Sequence, residues 1–352
     1  MKIVIRADSS LQTGSGHLMR CLTLAERYRK DGNSVVFVCR NLVGNMSSLV
    51  LDKGFELKML PLVGERYGLT GYAKWLTVTQ EQDAMETIKI VKKLGRINRL
   101  VVDSYAIDCT WEKMLRPYVA EIMVIDDLAN RRHDCDILLD QNFYLDKESR
   151  YEGLVPKYCR LLLGPKHALL REEFYQVRKS MRKRDGQLLN ILVFYGGVDP
   201  TNETSKAIQA LQTLQATGGL QDVQITVVVG ASNERKENIA ARCKPIGFRY
   251  LCQVSNMAEL MAEADLMLGA GGSTTWERCF LSLPAIVTAV AENQVQICED
   301  CAKEGLILYI GYWDKVRQED ICKAINKLLV SSQLPSMQRK MSQLMERNLW
   351  VV

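Results

Sequence analysis

Short runs of Val, Ile and Leu alternate along this chain with longer stretches in which apolar residues recur every three or four positions. Strands covered on both faces need runs that are apolar throughout, and helices packed on a sheet need the longer period, so the pattern predicts parallel βαβ units. In the first half the expected strands are KIVIRAD (2–8), SVVFVCR (34–40), RLVVDSY (99–105), EIMVIDD (121–127) and DILLDQN (136–142), with helices over 18–32 and 45–53. The second half repeats the theme with LLNILVFYGG, DVQITVVVGA, ADLMLGAGG and PAIVTAV, and a last helix is expected around 337–348. Between the halves, 146–187 is rich in charge, holds Pro156 and Pro165 and lacks strand patterning. The predicted fold is therefore α/β, two Rossmann-like doubly wound domains facing a cleft, with an N-terminal domain over 1–170, a linker over 171–186 and a C-terminal domain over 187–352.

Composition narrows the function. At 352 residues, 47% hydrophobic and 25% charged, the chain has the makeup of a globular protein. A net charge of +5 over this length is too mild for a nucleic-acid footprint. The one dense basic stretch, Arg178 to Arg184 (RKSMRKR), has no interleaved aromatics and is expected to be a solvated helix end or linker. No apolar run is long enough to span a bilayer, so stable membrane insertion is not expected. The strand-like opening MKIVIRAD is unlike a secretory signal, and the odd count of eleven Cys suggests reduced thiols in a cytoplasmic protein. Cys298 and Cys301 form a CxxC in a helical setting with no second pair, and with only His17, His133 and His167 in the chain no metal site is expected. Nothing in the pattern sets an oligomeric state.

In open α/β sheets ligands bind at the carboxyl ends of strands, so candidate chemistry lies there. Gly14-Ser15-Gly16-His17 separates the first strand from the first helix. Its glycines permit a tight turn, and the helix start offers N–H groups to an anion. It is not the dinucleotide fingerprint, because Met19 stands at the sixth place and Cys39 and Arg40 end the second strand where an acidic residue is needed. His17 is left as either a general base or a helix cap. Gly269-Ala270-Gly271-Gly272-Ser273-Thr274-Thr275-Trp276-Glu277 runs from a strand into a helix with no P-loop lysine, which suits a diphosphate held by amides and hydroxyls, with Glu277 available to ribose. A third glycine turn, Tyr195-Gly196-Gly197-Val198-Asp199, follows the first strand of the second domain. Asp103-Ser104-Tyr105, Asp126-Asp127, Asp140-Gln141-Asn142 and Glu292-Asn293-Gln294 complete the polar strand ends, each more in keeping with a loop cap than with a catalyst when taken singly.

RADSSLQTGSGHLMRCLTLA, VVDSYAIDCTWE, IDDLANRRHDCDILLDQN, LLGPKHALLREEF, YGGVDPTNET and GAGGSTTWERCFLSLPAIVTAVAENQ together resemble, in this order over about residues 1–310, the UDP-sugar hydrolases of pseudaminic acid biosynthesis, the PseG family. The resemblance implies the GT-B architecture shared with MurG. It also implies metal-independent hydrolysis of UDP-2,4-diacetamido-2,4,6-trideoxy-β-L-altropyranose by water attack at the anomeric carbon with inversion, with no cofactor. Carried over by position, His17 is the general base, and Tyr105 and Asn293 line the reacting sugar. Gly14, Gly16, Arg20, Gly197, Gly271, Gly272, Ser273, Thr274, Glu277 and Gln294 would bind the UDP-sugar. UDP is already a good leaving group, so growing diphosphate charge is the main thing to stabilise, and no carboxylate pair is required. The alternatives are a UDP-sugar-dependent glycosyltransferase of surface or spore-coat polysaccharide biosynthesis, and a nucleotide-sugar binding protein without turnover. Fold alone does not separate them.

Overall fold

The computed structural model describes residues 1–62, 64 and 68–346. The chain divides into two compact units, one formed by 1–142 and 146–169, the other by 143–145 and the described residues from 170 on.

The first unit runs β1 (Lys2–Ala7), α1 (Gly16–Lys30), β2 (Ser34–Arg40), α2 (Ser48–Asp52), β3 (Glu56–Leu60), α3 (Gln80–Leu94), β4 (Arg99–Asp103), α4 (Cys109–Leu115), β5 (Ile122–Ile125), β6 (Ile137–Asp140) and β7 (Arg160–Leu163). Its strands form one parallel sheet in the order β3-β2-β1-β4-β5-β6-β7. Alternate strand residues feed two cores. Ile3, Ile5, Phe37, Val101 and Met123 meet the apolar side of α1, and Val4, Val38, Leu100, Val102 and Val124 pack with Ala84 and Val91 of α3 and Trp111 and Leu115 of α4. The order reverses direction between β1 and β4, where Ala7 pairs with Asp103, the kind of switch point at which open α/β sheets bind ligands.

The second unit runs α5 (Glu172–Ser180), β8 (Asn190–Phe194), α6 (Glu203–Ala216), β9 (Gln224–Val229), α7 (Lys236–Cys243), β10 (Arg249–Cys252), α8 (Met257–Glu263), β11 (Leu266–Ala270), α9 (Thr274–Phe280), β12 (Ala285–Ala289), α10 (Val295–Lys303), β13 (Leu308–Tyr312), α11 (Gln318–Leu329) and α12 (Gln333–Met345). Its parallel sheet has the order β10-β9-β8-β11-β12-β13, with the reversal between β8 and β11, where Phe194 pairs with Gly269. The glycine turns after Tyr195 and after Ala270 are thus brought to one switch point.

Several sequence expectations change. Residues 160–163, inside the stretch expected to lack strands, form β7 at the sheet edge, where half-buried RLLL carries too little apolar length to stand out. The stretch 171–186 carries α5, whose Phe174 is fully buried. The basic run that closes this stretch is only partly solvated. Arg184 donates to the carbonyls of Met261, Ala262, Ala264, Leu281 and Ser282, filling the open C-terminal ends of α8 and α9, and Arg182 pairs with Asp265. The helix expected over 45–53 shortens to α2, and the last helix begins earlier, at Gln333; its expected end at 348 lies outside the described residues. Cys298 and Cys301 are buried on α10, and all eleven cysteines are free.

Candidate functional site

In the first unit, the polypeptide leaves β1 and turns at Ser10 to Gly14, where the Gly14 N–H donates to the Ser10 carbonyl at 3.0 Å. Gly14 has φ +67°, a conformation that strains any residue with a Cβ. Gly16 opens α1, and His17 and Arg20, three residues apart, fall on the same face of that helix. The face points at the end of β4. His17 Nδ1 lies 2.6 Å from Asp103 Oδ1, and Arg20 grips the same carboxylate with Nε to Oδ2 at 2.6 Å and Nη2 to Oδ1 at 2.7 Å. Burial by itself would raise the Asp103 carboxyl, but the Arg20 charge and the hydrogen bonds from Arg20 and His17 more than reverse this and hold it well below the ordinary carboxylate range. A permanent carboxylate accepts Nδ1–H, which leaves the His17 Nε2 lone pair as the basic site.

Tyr105, just past β4, stands edge-on to the His17 ring, with centroids 4.6 Å apart. Its hydroxyl donates to Asp127 Oδ1 at 2.5 Å, and Asp127 also takes Arg20 Nη1 and Asn142 Nδ2. Burial and the neighbouring Asp127 charge push the Tyr105 hydroxyl well above its usual value, so it remains a neutral donor. Trp75 and Tyr72, on a short 3-10 helix over Gly71–Leu76, complete an aromatic wall, with ring centroids 5.6 Å and 5.1 Å from that of Tyr105. Deeper in, Tyr151 donates to Asp140 Oδ2 at 3.0 Å. Although Arg150 Nε is 3.6 Å from Asp140, burial and the Asp127 charge hold the Asp140 carboxyl up to about 8.

In the second unit, Gly271 and Gly272 follow β11 directly. A Cβ at Gly271 would sit 2.3 Å from Cys298 Sγ, so the turn is pressed onto α10 and only glycine fits. Gln294 lies over the same turn, with its Oε1 accepting from the Val290 N–H at 3.0 Å. Ser273 is exposed, and its hydroxyl caps nothing in α9. In the first turn of α9 the N–H groups of Thr275 and Trp276 donate to the carbonyls of Gly272 and Ser273, at 2.9 and 3.1 Å. Glu277 accepts Arg171 Nε at 3.0 Å. At the neighbouring strand, Gly197 packs its backbone against Gly230, where a Cβ would approach the Gly197 oxygen to 2.3 Å. Asp199 caps α6, accepting from the N–H groups of Glu203 and Thr204 at 2.9 Å each. Asn293 is exposed beside Gln294, and its amide has no hydrogen-bond partner among the described residues.

The first unit therefore gathers His17, Arg20 and Tyr105, and the second gathers Gly271, Gly272 and Gln294. Sequence reasoning named Asp103 and Asp127 only as strand-end acids and did not name Trp75 or Tyr72. The i, i+3 spacing of His17 and Arg20 facing a strand-end Asp was a usable signal for the first pair. The aromatic pair lies off the strand ends and carried none.

These are the units of a GT-B fold. MurG of Acinetobacter baumannii superposes with a TM-score of 0.66 at 15% identity, covering 97% of this chain and 94% of that one, a likeness of fold. Residues 190–348 match the glycosyltransferase family 28 C-terminal domain. Among curated proteins, the chain is 28% identical over 307 residues to the UDP-2,4-diacetamido-2,4,6-trideoxy-beta-L-altropyranose hydrolase of Campylobacter jejuni, covering 87% of this chain and 97% of that protein. It is 26% identical over 320 residues to an uncharacterized protein of Methanocaldococcus jannaschii, covering 86% of this chain but only 59% of that longer protein. Among the described residues no helix is long and apolar enough to cross a membrane.

Proposed function

We propose that the protein is a UDP-sugar hydrolase that releases UDP and a free 2,4-diacetamido-2,4,6-trideoxy sugar without a metal, as a step in pseudaminic acid biosynthesis. The observation that carries this reading is the His17–Asp103 pair, which keeps the His17 Nε2 free to accept a proton. Likeness to the Campylobacter hydrolase supports the choice of substrate. In this mechanism water attacks the anomeric carbon on the face opposite the leaving group and gives its proton to His17 Nε2, while the C–O bond to UDP breaks and its electrons pass to the diphosphate. Asp103 and Arg20 fix the ring, and Asp103 stabilises the imidazolium that forms. Tyr105, edge-on to the His17 ring, holds the sugar. Amides and hydroxyls at Gly197 and at Gly271 to Thr274 receive the growing charge, with Glu277 on the ribose.

The test is incubation with the UDP-linked diacetamido sugar and no acceptor, following UDP release and anomeric configuration by NMR. The expected result is UDP plus a free sugar of inverted configuration. His17→Ala should keep UDP affinity and lower turnover by about 100-fold or more. Family 28 likeness in the second unit favours a second reading, transfer of the sugar to an acceptor. UDP that appears only when an acceptor is added would establish that reading, and stoichiometric binding with no UDP release would leave a binding protein.

A further inference from the structure

We propose that Arg278 is the buried countercharge for the diphosphate held at the glycine turn after β11, a positioning residue that acts through its field. The inference rests on the nucleotide reading of the second unit. Arg278 is fully buried, with a relative exposure of 0%. Its Nη1 donates at 3.2 Å to the carbonyl of Ala270, the last residue of β11, and its Nη2 to Thr275 Oγ1 at 3.0 Å. Its Nε has no acceptor.

The other fully buried arginines are treated differently. Arg6 pairs with Asp8 and Asp83, and Arg40 pairs with Asp83 and Glu86. Among the described residues no carboxylate stands within ion-pair distance of Arg278. Its charged neighbours by type are the thiols of Cys279, Cys298 and Cys301, and burial pushes all three up, the first to about 11 and the second to about 12, so they carry no compensating charge near neutral pH. Burial also disfavours the guanidinium charge itself.

An isolated buried cation is unfavourable, and proteins retain one where a partner or a ligand supplies the missing anion. Arg278 is bonded to the residue immediately before Gly271, and Gly271 in turn rests on Cys298 Sγ. The guanidinium is thus bonded to the backbone where it enters the turn that would carry the phosphates, and to a hydroxyl of the helix that follows it. In this low-dielectric setting its attraction for a diphosphate is weakly screened. The arrangement gives up stability of the empty protein in return for selectivity toward a multiply charged anion.

The test uses the full chain and compares wild type, Arg278→Met and Arg278→Lys in calorimetric titrations with UDP, uridine and inorganic pyrophosphate, alongside thermal unfolding without ligand. Arg278→Met should weaken UDP and pyrophosphate by about 30- to 100-fold, leave uridine within about twofold, and unfold no lower than wild type. Arg278→Lys should retain most of the preference for UDP over uridine. A merely structural arginine would give the opposite signature: Arg278→Met unfolding well below wild type or failing to fold, or UDP and uridine weakening together, and any of these overturns the inference. Equal UDP affinity in wild type and Arg278→Met also overturns it, while leaving the nucleotide reading in place. Wild type that binds pyrophosphate but not UDP, with the loss in Arg278→Met, removes the nucleotide reading and supports the countercharge.

Discussion

Nδ1 of His17 and Oδ1 of Asp103 are 2.6 Å apart, so a helix and a strand end separated by 86 positions in sequence fix which nitrogen of the imidazole can accept a proton. Asp103→Asn keeps the shape but can offer an N–H to Nδ1, which favours the tautomer carrying its proton on Nε2. The expected outcome is a fall in turnover of UDP-sugar hydrolysis by about 100-fold or more, with KM little changed. Steady-state kinetics check it, and unimpaired turnover would remove the pair from the mechanism.

The contact beneath the nucleotide turn makes a paired prediction. Gly271→Ala drives a Cβ to within 2.3 Å of Cys298 Sγ and should destabilise the protein by about 1–3 kcal/mol and weaken UDP binding. Adding Cys298→Ala removes the clashing sulfur and should recover part of both losses, a coupling readable in urea denaturation of the double-mutant cycle. Strictly additive losses would contradict the clash.

A third prediction concerns the first unit's charge hub. Asp83 accepts Arg6 and Arg40 and also Trp111 Nε1, all buried. Burial alone would raise the carboxyl, yet the two arginines hold it down at about 2. Asp83→Asn leaves two guanidinium groups short of a partner and should cost about 3–5 kcal/mol in urea denaturation at pH 7. Because the folded value lies below the ordinary one, this contribution is present above about pH 4 and is lost as pH falls toward 2, so the gap between wild type and variant should narrow in acid.

Asp140 gives the opposite pH dependence. Its folded value of about 8 lies above the ordinary carboxylate range, so the folded state binds a proton that the unfolded chain has released. The stability this confers is complete below about pH 4 and declines as pH rises toward 8. Asp140→Asn, which cannot ionise, should therefore gain stability on wild type between pH 5 and 8.5, by on the order of 3 kcal/mol in urea midpoints. Parallel pH profiles for the two proteins would show that Asp140 does not titrate as the structure requires.

Sequence by itself determined the α/β class, because runs such as IVI, FVC and LVV that are apolar on both faces have few stable homes outside a covered parallel sheet. It also marked His17, Tyr105 and the turn at Gly271, since glycines and polar residues after strands report local backbone needs. It missed β7, whose four residues are only half-buried, and it took Arg184 for a solvated charge when the side chain closes two helix ends. What only the tertiary structure decided are the long-range pairings: Asp103 behind His17, Asp127 behind Tyr105, Cys298 beneath Gly271 and the unpaired charge of Arg278. Periodicity reports which face of an element is buried, whereas the partner a buried charge finds depends on strand order and register. Those are set by the packing of the whole sheet.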